Sequence, residues 1–451
     1  MSSGDDFDWK VHPEAGRFVG NLVSEFLKGS PFAAALSNRM YSETSTRFID
    51  WIDHMIVPES SCTESDLSAA GYSKEGACSS GSVYRNRNTY LFPIIFSNGK
   101  HFETAIKPEE IDSLLQAFGL GIESGGEPFS AVRKAELNRH GNFVLSAVER
   151  RGSPGFEAVR NGDIKEYLEA ASAFMERRRR FGSDEEGMEY TKDLVEKHCS
   201  RLGTSRVADA FFRAERLYWQ RRNKGGQVQK GRQDRLGLGW GNHDHHTYRS
   251  SREHLVDLIE IFEVMGYECR EQYYAGAKAG WGAQILEHRE CEIVIFTDVD
   301  LNQDETGFDY AHKRLKGRKE FGTVGLWIAL NGESILQSGM HHLEARFDFE
   351  KLGQDLPRFG IKVMQPFSHF EFLKQAFTEG EKWDADPARV EKVLKSGAIT
   401  KGQYDEFIKG GVIGSHMENL QRDNGFKGFN KASVTKIIRE TDPRLEHFGG
   451  A

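Results

Sequence analysis

The spacing of apolar residues changes several times along the chain, and each change marks an element. In SREHLVDLIEIFEVMGYE, Leu255, Leu258, Ile259, Phe262 and Met265 recur every three or four residues. That spacing predicts an amphipathic helix stopped at Gly266. GLGWGNHDHHTYRS before it reads as a strand, and REQYYAG, GWGAQILEH and CEIVIFTDVD after it read as short strands broken by glycines. The order is strand, helix, three strands. A related but less regular unit follows, with FGTVGLWIALNGE and SGMHHLEARFDF as strands and DLPRFGIKVMQPF as a turn and a strand. Residues 236–451 therefore read as two copies of a small βαβββ module.

Residues 1–160 read as a separate α/β module. NRMYSETSTRFIDWIDHMIVP has helical spacing, TYLFPIIFS is a β-rich run, KPEEIDSLLQAFGLGIE opens a helix on Pro-Glu-Glu, and NFVLSAVERRG reads as a strand. Residues 161–235 are helical in pattern and dense in charge. They end in RRNKGGQVQKGRQDR, expected to be a flexible basic loop closing a solvated connector. The expected fold class is α+β, with βαβββ modules forming a curved sheet, a helical connector and an N-terminal α/β module.

Composition adds bounds. Hydrophobic residues make up 38% of the chain, enough for a real core. A net charge of −8 disfavours a global grip on nucleic acid and leaves only a local contact through 221–235 as an alternative. The five cysteines, at 62, 78, 199, 269 and 291, form no CxxC pair, which argues against a disulfide framework or a thiolate zinc site. No apolar run reaches membrane-spanning length and the N-terminus has no signal-like segment, so a cytoplasmic protein with no membrane partner is expected.

The candidate chemistry lies in GNHDHHTYRSSR (241–252) and HHLEAR (341–346). His245 to Arg249 and His342 to Arg346 both read His-x-x-x-Arg, and side chains four apart on a strand share a face. Each segment could thus offer an imidazole for Fe(II), Zn or Mn and a guanidinium fork for a carboxylate in one shared cavity. A facial triad also needs a carboxylate, and Glu344, Glu287 and Glu418 compete for that place. By alternation His243 shares the face of His245 and is its substitute, while His246 points away. DVDLNQDETGFD lacks the glycine and glutamate of a calcium loop and reads as an acidic loop. His54 reads as structural, without a nearby partner.

HHTYRSSREHLVDLIEIFEVMGYECREQYY, with HHLEAR and ENLQR downstream, resembles the 2-oxoadipate dioxygenase/decarboxylase (2-hydroxyglutarate synthase) family of the vicinal oxygen chelate superfamily, over roughly residues 237–435. The resemblance implies an Fe(II) oxygenase acting on a 2-oxo acid with dioxygen and oxidative decarboxylation. It implies His245, His342 and Glu418 as metal ligands, and so selects Glu418. Arg249 and Arg346 would clamp the substrate carboxylate, with Tyr248, Tyr273, Gln284 and Trp281 in the pocket. With Zn, Mn or Ni, the same superfamily implies redox-neutral lyase or isomerase chemistry as the alternative. The N-terminal module would be a divergent copy without ligands.

Overall fold

The structure is a computed structural model that describes residues 9–160, 162–277, 279–430 and 442–444. The ends of the chain, including the last residues of the resembling segment (431–435), lie outside the described residues. Two mixed sheets carry the fold, and strand runs are interleaved with helices throughout, an α+β architecture as expected.

The larger sheet holds the histidine motifs. Its first module runs β8 (His243–Arg249), a helix (Leu255–Val264), β9 (Glu268–Tyr274), β10 (Trp281–His288) and β11 (Ile293–Asp300). Its second runs β12 (His342–Arg346), a helix (Phe349–Asp355), β13 (Ser368–Phe370), β14 (Leu373–Phe377) and, after an insertion, β17 (His416–Arg422). The insertion carries the two-residue strands β15 (Lys382–Trp383) and β16 (Val412–Ile413) and two helices, Pro387–Lys395 and Lys401–Gly410. The strand order is β13-β14-β17-β12-β8-β11-β10-β9. In each module the first strand pairs in parallel with the last, and the two first strands, β8 and β12, pair antiparallel at the centre.

The smaller sheet follows the same course. Its strands are β1 (Ile52–Pro58), β2 (Ser73–Cys78), β3 (Gly81–Arg85), β4 (Ile94–Ser97), β5 (Phe102–Ile106), β6 (Val132–His140) and β7 (Phe143–Arg150), in the order β2-β3-β4-β1-β5-β7-β6. β1 pairs in parallel with β4, β5 in parallel with β7, and β1 antiparallel with β5. Its second half has one strand fewer than its first.

Several local readings change. The helical spacing of 38–58 spans a helix end (Pro31–Thr44), a short 3₁₀ turn and β1. FGTVGLWIALNGE forms a helix, Thr323–Asn331, because its apolar run is buried on all sides and carries no period to distinguish the two states. The strand expected in DLPRFGIKVMQPF is reduced to one isolated bridge at Val363. The basic stretch 221–235 is a helix, Lys224–Asp234, and not a loop. Asn223 caps it, and Arg232 is buried on Asp355 at 2.9 Å. Arg222 donates to the carbonyls of Gln337 and Ser338.

The connector is likewise not a solvated spacer. The helix Thr204–Gln220 buries Val207, Phe211, Phe212, Ala214 and Trp219. Phe212 packs edge-on against His246 and Tyr248 of β8 and lies beside Phe262 and Tyr267. This aromatic layer covers one face of β8 and leaves the other for the histidine site. Glu215 on the same helix accepts from Arg177 at 2.9 Å, from Arg179, and from Tyr248 Oη at 3.1 Å. Much of the charge read as solvated is thus paired in the interior. Among the described residues no helix is long and apolar enough to cross a membrane.

Phe212→Ala would leave a cavity at the junction of connector, sheet and module helix. We expect a loss of about 3–5 kcal/mol in unfolding free energy, measured by urea denaturation.

Candidate metal centre

The site begins with a bulge. Along the β8–β12 ladder Thr247 faces His342 and His246 faces Leu343, but His243 faces Ala345. Asp244 and His245 together therefore stand opposite Glu344. One extra residue breaks the alternation of side chains. Asp244, His245 and Glu344 then gather on one face. His243 is turned to the other side, its ring 5.3 Å from His246, so it does not substitute for His245.

On the gathered face, donor atoms of His245, His342 and Glu418 all lie within 4.8 Å of one another, and all three residues are buried. They come from three neighbouring strands, with β17 supplying Glu418 directly across from Glu344 of β12. His342 Nε2 is 3.2 Å from Glu418 Oε2, close to the ~3 Å between adjacent ligands bound at 2.0–2.1 Å to one ion. His245 Nε2 touches Glu344. Gln375 Nε2 donates to both carboxylates, at 3.2 Å to Glu344 and 3.0 Å to Glu418. Glu287 is elsewhere, beside Lys427 (3.3 Å) and Arg270 (3.6 Å), which leaves Glu344 and Glu418 as the carboxylates of the site.

Electrostatics favour ligand forms of the imidazoles. Burial pushes the pKa of His245 below its usual value despite Asp244, and burial plus the neighbouring His245 push His342 well below. Both rings are neutral and able to donate a lone pair. Burial raises the Glu344 and Glu418 carboxyls, and mutual repulsion adds to Glu344. A divalent cation is the natural compensation for two facing carboxylates in a dry site. The other ring nitrogens are held from behind. His245 Nδ1 is 3.3 Å from Asp244, which Arg422 grips at 3.1 Å, and His342 Nδ1 is 3.1 Å from His341 Nδ1. The Asp244 carboxylate favours the His245 tautomer that leaves Nε2 for a metal, and His342 Nε2 lies 2.8 Å from Thr247 Oγ1. Two imidazole nitrogens and a carboxylate on one face suit Fe(II), and also Zn, Mn or Ni.

A cavity of about 70 Å³ opens on these residues. Tyr273, Trp281, Phe296, Phe367, Phe377 and Phe429 form its walls, and Thr247, Arg249, Asp298 and Gln375 supply its polar lining. Arg249 is fully buried, and its Nε and Nη1 hydrogen-bond to no described residue. The nearest carboxylate, Asp298, is 3.9 Å from Nε. Burial lowers the guanidinium pKa to about 10, so it stays charged at neutral pH. Burial raises Asp298 to about 7.

Three of the expected pocket residues are elsewhere. Arg346 lines a separate cleft between the two sheets, with its guanidinium over Tyr90 and Nε 3.6 Å from Asp244. Antiparallel pairing of β8 and β12 sets the two His-x-x-x-Arg motifs head to tail, so the arginines flank the centre from opposite ends and do not share one cavity. Tyr248 faces the helical layer and donates to Glu215, as alternation from His245 requires. Gln284 spends its amide on the carbonyls of Glu271 and Ile285. Sequence reading missed Thr247, His341, Gln375 and Asp298. Thr247 could have been found, since it lies between His245 and Arg249 on their face. Gln375 could not, because its place depends on β14 pairing with β17.

No protein-family model matches the chain, and no curated protein matches it by sequence. Among solved structures, a glyoxalase-superfamily protein from Ralstonia eutropha aligns over 58% of this chain and 96% of its own, at 12% identity and TM-score 0.33. A mutant of 4-hydroxymandelate synthase from Streptomyces coelicolor aligns over 88% of this chain and 98% of its own, at 12% identity and TM-score 0.29. Methylmalonyl-CoA epimerase from Mycobacterium tuberculosis aligns over 40% and 88%, at 11% identity and TM-score 0.23. These scores are too low to carry an argument, and the architecture stands on its own strand order and pairing.

Gln375→Leu keeps the volume but removes the amide that orients both carboxylates. We expect divalent-metal affinity to fall about 10- to 100-fold with the fold intact, read by calorimetric metal titration beside circular dichroism.

Proposed function

We propose that this protein is a non-haem Fe(II) oxygenase that takes a 2-oxo acid and dioxygen and carries out an oxidative decarboxylation. The observation that carries the reading is Arg249. A buried, charged guanidinium with two unbonded nitrogens beside a donor triad costs stability unless a ligand completes it. A carboxylate is the ligand whose geometry its fork matches.

His245, His342 and Glu418 would hold the iron, which when bound supplies the dioxygen-activating chemistry. Asp244 keeps the His245 imidazole in its ligating tautomer, and His341 backs the His342 ring. Arg249 binds and orients the substrate carboxylate at a fixed distance from the triad, and this positioning lowers the entropic part of the barrier. The aromatic walls exclude water from the reacting end. Trp281 Nε1, which has no described hydrogen-bond partner, offers one further donor on the wall. The buried second carboxylate, Glu344, favours an alternative reading, redox-neutral lyase or isomerase chemistry with Zn, Mn or Ni, because an additional acidic group at the centre suits a proton-transfer role.

Oxygen uptake separates the two. Protein loaded anaerobically with Fe(II) and given a panel of 2-oxo acids should consume dioxygen and release carbon dioxide in step. Metal-dependent turnover without oxygen uptake would overturn the oxygenase reading. Arg249→Lys should keep its iron and raise KM at least about tenfold, because an ammonium cannot reproduce the fork.

Asp298 sets a pH dependence. Below about 7 its carboxyl is protonated and leaves Arg249 to the substrate; above, it ionises and competes for the guanidinium. KM should rise as pH passes upward through about 7, and Asp298→Asn should flatten that rise in a KM–pH profile.

A further inference from the structure

A second group of ligand-type side chains lies on the first module, outside both cavities that touch His245. Glu263 stands at the end of the helix Leu255–Val264, Cys269 on the edge strand β9, and His312 in the connection from β11 to the helix Thr323–Asn331. One donor atom from each, an oxygen, a sulfur and a nitrogen, fits within 4.8 Å. No spacing along the chain announces the group, since tertiary contacts alone bring the three segments together.

We propose that Glu263, Cys269 and His312 form a second divalent-cation site, of the zinc class, with one coordination position left for water. His312 Nε2 is 2.9 Å from Glu263 Oε1, and Cys269 Sγ is 3.8 Å from the same oxygen. Ligands at 2.0–2.3 Å from a tetrahedral zinc stand about 3.4–3.6 Å apart, so the two contacts to Glu263 need adjustments of about half an ångström at most, and the sulfur–nitrogen pair lies within 4.8 Å. The imidazole is already oriented for the task. Its Nδ1 faces Asp309 at 3.0 Å, which directs Nε2 toward Glu263 and Cys269, the carboxylate–histidine arrangement that backs metal ligands.

Hydrogen bonds to Glu263 and Asp309 raise the His312 pKa, so a metal at Nε2 competes with a proton there. Burial raises the Cys269 thiol, and the charges that act on it, Glu263 and Asp309, are both negative. A cation would offset them and take the sulfur as thiolate. A thiolate together with an imidazole selects zinc over the hard cations magnesium and calcium. Binding would cross-link the β11-to-helix connection to the exposed edge of the large sheet. This inference does not depend on the oxygenase reading.

Cobalt(II) is the probe. In full-length His245→Ala/His342→Ala protein, which lacks the central pair of imidazoles, about one cobalt per chain should bind with thiolate-to-cobalt charge-transfer absorption. Cys269→Ser in that background should abolish the absorption while circular dichroism stays unchanged. Asp309→Asn should weaken binding about 10- to 100-fold. Zinc should raise Tm in the protein with Cys269 and leave the Cys269→Ser protein unmoved. Folded protein that shows no such absorption at saturating cobalt, or absorption that survives Cys269→Ser, would overturn the site.

Discussion

The frame behind the candidate site depends on one extra residue. The bulge at Asp244–His245 turns two consecutive side chains to the same face of β8, which a regular strand forbids. His245 meets Glu344, and the bulge keeps Asp244 behind the His245 ring, where it reaches Arg422 on β17. Remove the bulge and alternation from Thr247 would keep His245 on the site face but turn Asp244 into the aromatic layer around Phe212. The His245 ring would then keep its place opposite Glu344 but lose the carboxylate that stands behind its Nδ1.

The smaller sheet repeats this device. Asp53 and His54 form the corresponding bulge on β1 opposite Ala105, His54 Nδ1 lies 2.6 Å from Asp53, and Arg150 at the end of β7 donates to Asp53. His54 therefore has a partner, contrary to the reading from sequence. Ala105 and Ser146, paired across β5 and β7, stand where the large sheet has Glu344 and Glu418. The Phe156 ring packs edge-on against His54 at 5.0 Å. The Asp–His–Arg frame is present without the carboxylates, which is why the frame alone does not make a donor set.

Much of the large sheet was legible because its helix and strands have clean periods and its two motifs share a spacing. His245, His342 and Glu418 were legible as residue types, and the structure brings them together. Their neighbours were harder to read. His243 was misplaced because alternation was assumed through a bulge that no local pattern marks. Arg346 was assigned to the cavity of Arg249 because a shared motif does not reveal that the strands run head to tail. Tyr248 fell to the wrong face although simple alternation from His245 excludes it. The basic 221–235 stretch and the charge-dense connector were read as solvated because composition does not reveal partners distant in sequence, such as Asp355 for Arg232 and Glu215 for Arg177.

The proposed chemistry rests on His245, His342 and Glu418 acting as one metal centre. Its most direct measurement is the iron content of anaerobically loaded protein in the Cys269→Ser background, which removes the proposed thiolate ligand of the second site, for the otherwise native chain and for His245→Ala. About one iron per chain is expected, lost with His245. Iron retained in full by the His245→Ala protein, or none bound by either, would contradict it.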